Sequence, residues 1–237
     1  MDETSAADRL ALLPWRGALL TGAAAALGSV GLILVQVVVF AIHPPPDTVE
    51  GYVDLMSHNP LLGLVSLDLV LSVNNVLVAL VYLALVVVLW RRARSTAAIA
   101  GALVVLGMAS YLASNPSVDM LLLAREYAAA PATARPALLA AGEVLLGSWR
   151  GTAFLTYYIL NGIALLLVGL ALIRTRALGR AVAWWALVSG IFMLVPSTFG
   201  TLGLVMSLLS LFPWCVMCVL VARRLWFLAS RPPPATR

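Results

Sequence analysis

The chain has 237 residues, of which 62% are hydrophobic and only 11% charged. Soluble domains carry about a quarter charged residues, and several apolar runs here exceed the ~18 residues that mark a membrane-spanning candidate, so an ordinary soluble fold is excluded. The net charge of +5 comes from 15 basic residues, all Arg; twelve of them flank apolar segments on one expected side of the membrane, which points to topology and not to nucleic-acid binding.

The amino terminus, MDETSAADRL, is acidic, and the apolar segment behind it is long and lacks a good small-residue cleavage site. It reads as a retained first span, not a signal peptide. Six spans are expected, at about 17–42, 61–90, 96–114, 150–173, 179–197 and 201–222, with 1–16 and 228–237 as tails. The expected fold is all-α: a six-transmembrane-helix bundle, one integral membrane domain, with short amphipathic helices in its outer loops.

Arg91, Arg92 and Arg94 follow the second span, and Arg174, Arg176 and Arg180 follow the fourth. Arg9 and Arg16 precede the first span; Arg223, Arg224, Arg231 and Arg237 follow the sixth. The other side holds only Arg125, Arg135 and Arg150. The positive-inside rule then puts both termini in the cytoplasm. A basic set made wholly of Arg, with abundant Ala, Leu and Val, suits a GC-rich bacterial genome, so the expected location is a bacterial inner (cytoplasmic) membrane. Trp90, Trp184, Trp185 and Trp226 near the inner boundary and Trp149 near the outer one fit an aromatic belt.

The first outer segment, HPPPDTVEGYVDLMSHNP, starts with a Pro run that stops the first helix. Asp47, Glu50, Asp54 and His58 then share one helical face; Val49, Tyr52, Val53 and Met56 share the other. That is a short amphipathic helix on the outer surface. Asn59-Pro60 reads as a cap and first-turn Pro for the second span. The second outer segment, from Asn115 to about Trp149, is broken at Pro131 and Pro136 and suggests partly buried interfacial helices.

Polar residues inside the spans are the candidates for function. Counting ~20 residues back from Trp90 puts the outer boundary near Leu71. Asp68 then lies at the outer interface, with Asn74 and Asn75 about one turn inside. Asp68, Ser72 and Asn75 share a face at i, i+4 and i+7. Glu143, Arg150, Tyr157 and Asn161 are spaced to form a matching stripe toward the fourth span, in the same leaflet. If these spans are neighbours, Asp68 could pair with Arg150, and Asn75 with Tyr157 or Asn161. Two readings stand side by side. One is helix–helix hydrogen bonding, worth ~0.6–2 kcal/mol per bond. The other is a polar pocket open to the outer side that holds a ligand, lipid headgroup or ion.

Other features read blandly. WCVMC resembles a redox motif, but Cys215 and Cys218 sit within a span, where both thiols stay neutral. Pro213 reads as a helix kink. The acidic face with His58 could in principle hold a divalent cation, though a solvated face explains it, and no metal or cofactor is expected. Small residues in TGAAAALGSVG and at Gly200, Gly203 and Ser207 permit close helix packing. No zinc-protease helix, nucleophile elbow or phosphate loop is present in the sequence.

The acidic outer segment after span one, NPLLGLVSLDLVLSVNN, SYLASNPS with Glu126-Tyr127 beyond it, AAGEVLLGSWRGTAF and the VPSTFGTLG-to-LFPW stretch form a pattern over about Leu19 to Leu225. That pattern resembles an uncharacterised bacterial six-span membrane family, domain of unknown function 4386. The resemblance implies a six-helix bundle and brings no activity or catalytic residues.

Three functions follow as expectations. The first is a non-enzymatic membrane protein that binds a small amphiphile or lipid in an outward-facing polar pocket, as a sensor or permease-like module. The second is a membrane-embedded enzyme acting on a lipid or isoprenoid, with Asp68 or Glu143 as general acid. The third is a structural subunit of a membrane complex. The bilayer is the expected partner, nucleic acid is not, and the sequence leaves the oligomeric state open.

Overall fold

A computed structural model describes residues 11–195 and 200–230. Among the described residues the chain is helical throughout, with no strand. A short turn of helix at Leu13–Trp15 leads into α1 (Arg16–Ile42). The outer segment forms α2 (Val49–His58) and α3 (Pro60–Ser66). Then come α4 (Leu69–Leu89), α5 (Arg94–Ser114), α6 (Ser117–Ala129) and α7 (Arg135–Ser148). A widened turn at Trp149–Ala153, bent at Gly151, joins α7 to α8 (Phe154–Thr175). The chain closes with α9 (Arg180–Met193) and α10 (Gly200–Ser230), which carries Pro213 within it.

Among the described residues, five stretches are apolar and long enough to cross a membrane: Leu13–Ile42, Leu69–Leu89, Arg94–Ala129, Arg135–Thr175 and Gly200–Ser230. Arg180–Met193 is apolar but shorter. The expected end of the fifth span, and part of the VPSTFGTLG motif, fall on residues 196–199, outside the described residues. So do Arg9, Arg231 and Arg237.

The long helices close a ring in chain order. α1 packs on α4, α4 on α5, α5 on α8, α8 on α9, α9 on α10, and α10 back on α1. α4 and α8 also approach each other across the ring. Small residues set the closest crossings. A Cβ on Gly22 of α1 would collide with Ala84 of α4, and one on Gly169 of α8 would meet Leu187 of α9 at 2.7 Å.

One end of the ring carries the Arg-rich turns. Arg92 Nη1 donates to the Thr175 carbonyl at 2.7 Å, tying the α4–α5 turn to the α8–α9 turn. Arg94 stacks over Trp90 at 5.1 Å. The other end is capped by α2, α3, α6 and α7, which pack on one another. Two of the cap helices, α2 and α3, start at side-chain caps. Thr48 accepts from the Gly51 amide at 3.2 Å, and Asn59 from the Leu62 amide at 3.1 Å, with Pro60 following as the expected first-turn residue.

The amphipathic reading of α2 holds: Val49, Tyr52, Val53 and Met56 are buried, while Glu50, Asp54 and His58 are exposed. Its apolar face lies against protein, however. Cβ atoms on Gly142 and Gly63 would run into Val49 and Met56, so those glycines are the seats of the helix.

The expected second span at 61–90 is not one helix. It breaks at Leu67–Asp68, where Asp68 adopts the left-handed conformation at φ 62° and ψ 29°. That conformation costs about 1–2 kcal/mol for a residue with a Cβ, and Asp tolerates it better than most. The remaining 21 residues of α4 reach roughly 31 Å, one bilayer core. The surplus seven residues fold back into the cap as α3. The fourth span likewise starts as regular helix at Phe154, beyond the bend, and not at Arg150.

Candidate functional site

The break at Asp68 is held by three neighbouring elements. Gln36 of α1 donates from Nε2 to Asp68 Oδ1 at 3.1 Å, and Tyr111 of α5 donates its hydroxyl to Oδ2 at 3.3 Å. Asn115, just past α5, donates from Nδ2 to the freed Leu67 carbonyl at 2.8 Å. The Ser117 amide and hydroxyl in turn donate to Asn115 Oδ1. The carboxylate therefore serves the bend: both its oxygens and the buried Leu67 carbonyl are satisfied where lipid could not satisfy them.

The expected Asp68–Arg150 pair does not form. The bend turns the carboxylate toward α1 and α5, whereas exposed Arg150 stands near the hydroxyl of Tyr52 in the cap. Burial pushes the Tyr52 hydroxyl above its ordinary range, and the Arg150 guanidinium pulls it part of the way back. Glu143 lies exposed on α7. Ser72 is half-buried, and its hydroxyl oxygen has no partner.

The deeper polar pair forms as expected. Tyr157 of α8 donates its hydroxyl to Asn75 Oδ1 of α4 at 3.0 Å. Asn161 Nδ2 donates to the Tyr157 carbonyl one turn back at 2.9 Å. Because a carbonyl only accepts, that bond fixes which end of the Asn161 amide is which. Its Oδ1 is then buried with no donor. Gly107 of α5 makes room: a Cβ there would collide with the Asn161 amide nitrogen. Rings connect this layer to the break, Tyr111 and Tyr157 lying 4.8 Å apart between centroids, with Phe154 beside both.

Inside the ring, on the cap side, lies a cavity of about 90 Å³. α4 contributes Leu71, Asn74, Val78 and Tyr82 to its wall, and α8 contributes Tyr157, Tyr158 and Asn161. Ile33 of α1, Ser189 and Met193 of α9, and Ser210, Leu211 and Trp214 of α10 complete it. Leu71 and Tyr82 are eleven positions apart on α4, so the cavity runs about 16 Å along the helix. Asn74 is 4% exposed and Asn161 3%, yet the amide oxygen of each lacks a partner. Buried polar atoms are ordinarily satisfied; these two oxygens are sealed within the wall, with no surface of their own open to the cavity.

Of the sequence-selected residues, Tyr157 and Asn161 line this cavity, and Asn75 binds Tyr157 from behind. Asp68 supports the bend above it; Glu143 and Arg150 stand outside. Sequence reasoning missed Gln36, Tyr111, Gly107, Tyr82 and Trp214. One signal was available. Ser29 and Gln36 are seven apart on α1, the only stripe there with a buried amide and hydroxyl. Ser29 accepts from the Trp214 indole at 3.4 Å and Gln36 holds Asp68.

Cys215 and Cys218 are free thiols, Cys218 fully buried, which suits packing. His58 Nδ1 lies 3.3 Å from the Asp54 carboxylate of its own helix, and no group of three metal-type ligands gathers among the described residues. No protein family, curated protein or solved structure matches the chain.

Proposed function

We propose that this is a six-span protein of the bacterial inner membrane, both termini cytoplasmic, that binds a small amphiphile or lipid inside its helix ring as a sensor or permease-like module. The observation that carries the reading is the cavity between α4 and α8, whose apolar wall is interrupted by Asn74, Tyr157, Asn161, Ser189 and Ser210. The binding residues are Asn74, Tyr157 and Asn161, with Asn75 and Asp68 as supports; this moves the site from the outer surface to the ring interior. Closure of the ring through α9 favours a sixth span. The Arg-rich turns at one end favour the cytoplasmic assignment of that end. The broken second span adds support, since discontinuous helices in membranes are tolerated where they are buried in protein or line a cavity.

The enzyme reading is less well supported. Both oxygens of Asp68 already accept hydrogen bonds from Gln36 and Tyr111, which suits holding the bend better than handing a proton to a substrate. Native mass spectrometry of the protein released from membranes tests the proposal. A discrete small-molecule mass on the wild type, lost in Asn74→Leu/Asn161→Leu, supports it. No bound mass on either folded protein returns the polar residues to helix–helix bonding alone.

A further inference from the structure

On the outer face of the ring, at the Arg-rich end, α1 and α10 leave a groove of about 830 Å³ between them. That volume lies within the ~300–1,000 Å³ of small-molecule sites. Ala24 and Leu27 of α1 form one bank, both exposed. Arg223, Trp226, Phe227 and Ser230 of α10 form the other, spaced i, i+3, i+4 and i+7 so that they share one stripe. A cleft of about 340 Å³ beside it shares Arg223 and Phe227 and adds Leu220 and Arg224.

The depth of the groove follows from its neighbours. A Cβ on Gly179, in the α8–α9 turn, would lie 3.5 Å from the Arg224 guanidinium. Arg223, the next residue, therefore stands at the level of the Arg-rich turns. Along α1, Gly22 faces Leu225 and Ser29 faces Trp214, so Leu27 lies deeper in the membrane than Arg223. The groove thus has a cationic mouth at the interface and an apolar floor beneath it.

Arg223 is exposed and makes no hydrogen bond or ion pair among the described residues. The Arg-rich end carries no Asp or Glu among them either, because every described carboxylate lies at the cap end. The counter-ion of Arg223 therefore comes from outside the described chain. An Arg that only snorkels to water needs no groove below it. Here the guanidinium and an apolar channel begin at the same point, which matches a phosphate joined to an acyl chain. Arg binds phosphate through two parallel N–H donors, and the exposed Trp226 indole beside it suits the interfacial zone. A zwitterionic headgroup brings its own ammonium, which the Arg-rich end repels; an anionic headgroup does not.

We infer that the α1–α10 groove holds an anionic phospholipid, its phosphate on Arg223 and an acyl chain along Ala24 and Leu27. This rests on the membrane placement in the proposed function and not on the internal cavity.

Nanodiscs holding the full chain in equal parts phosphatidylglycerol and phosphatidylethanolamine, with identical acyl chains, test it. Native mass spectrometry reads the lipid retained on release. The wild type is expected to retain phosphatidylglycerol about tenfold over phosphatidylethanolamine, the scale of one charge-assisted hydrogen bond. Arg223→Gln should bring the two to parity, and Arg223→Lys should restore part of the preference. Ala24→Phe, which fills the groove from an exposed position, should lower retention with Arg223 still in place. Arg180→Gln, at the same end but outside the groove, should keep the wild-type ratio, as should Asn74→Leu/Asn161→Leu. No preference in the wild type, or an equal loss in Arg180→Gln, overturns the groove site and leaves the internal cavity untouched. Loss in the Asn74/Asn161 variant but not in Arg223→Gln also overturns it, by placing the lipid inside the ring.

Discussion

Tyr157 on α8 and Asn75 on α4 are joined by a 3.0 Å hydrogen bond across the helix ring. α4 and α8 are not sequence neighbours; α5 packs on both, and this bond adds a direct polar link between the two walls of the cavity. Tyr157→Phe leaves the Asn75 amide buried with neither end paired, since its Nδ2 already lacks an acceptor. The expected cost is about 1–2 kcal/mol. Adding Asn75→Leu to Tyr157→Phe should recover part of it, and reversible unfolding in mixed micelles reads both. Full additivity of the two single changes would show that the bond does not couple the helices.

The bend at Asp68 makes a graded prediction. Asp68→Asn keeps an acceptor and a residue type that tolerates φ 62°. It should stay within about 1 kcal/mol of wild type. Asp68→Val removes both partners' acceptor and puts a β-branched residue in the left-handed region, so it should cost about 3 kcal/mol or more. Thermal unfolding of the three proteins side by side checks the order. A Val variant as stable as the Asn variant would mean that the bend is not held here.

Gly107 is predicted to be the most sensitive glycine of the site, because a methyl group there occupies the place of the Asn161 amide. Gly107→Ala should destabilise by about 1–3 kcal/mol, the usual cost of overpacking. Asn161→Ala should relieve much of that loss. Melting temperatures of the two single variants and the double give the coupling directly.

The cap should show an alkaline limb in its stability. The folded Tyr52 hydroxyl is raised above 10.0 by burial, so in the unfolded chain it ionises first. Its contribution is full below about pH 10 and is lost as pH climbs from there toward the folded-state value. Tyr52→Phe should flatten that limb, and Arg150→Gln should raise the Tyr52 value further by removing the cation that lowers it. Ultraviolet titration of the phenolates, taken as the difference between wild type and Tyr52→Phe, isolates this group from the other tyrosines.

Orientation is open to labelling. In a background with Cys215 and Cys218 changed to Ser, Thr133→Cys between α6 and α7 should react with an impermeant maleimide in intact cells. Ser95→Cys at the Arg-rich end should react only after permeabilisation. The reverse pattern would invert the topology.

Much of the architecture was legible from local rules. The apolar runs, the Arg-rich turns and the Asn59-Pro60 start each act within a few residues, and α2 shows its buried face by spacing alone. The Asn75–Tyr157 pair was also legible, because two amphipathic stripes at equal depth had few other places to go. The break at Asp68 was not. A run from Leu61 to Trp90 looks continuous by hydropathy, and only the count back from Trp90 hinted that it was too long.

The sequence by itself determined that the chain is helical, strongly apolar and segmented into membrane-length runs, because helix length, charge and capping are properties of neighbours along the chain. Tertiary structure alone decided that Asp68 faces Gln36 and Tyr111 instead of Arg150. It also decided that Gly107 yields its space to Asn161, and that Asn74 and Asn161 line one cavity. Those outcomes depend on which helix lies beside which, and on a single left-handed residue that redirects the carboxylate, neither of which leaves a period in the sequence.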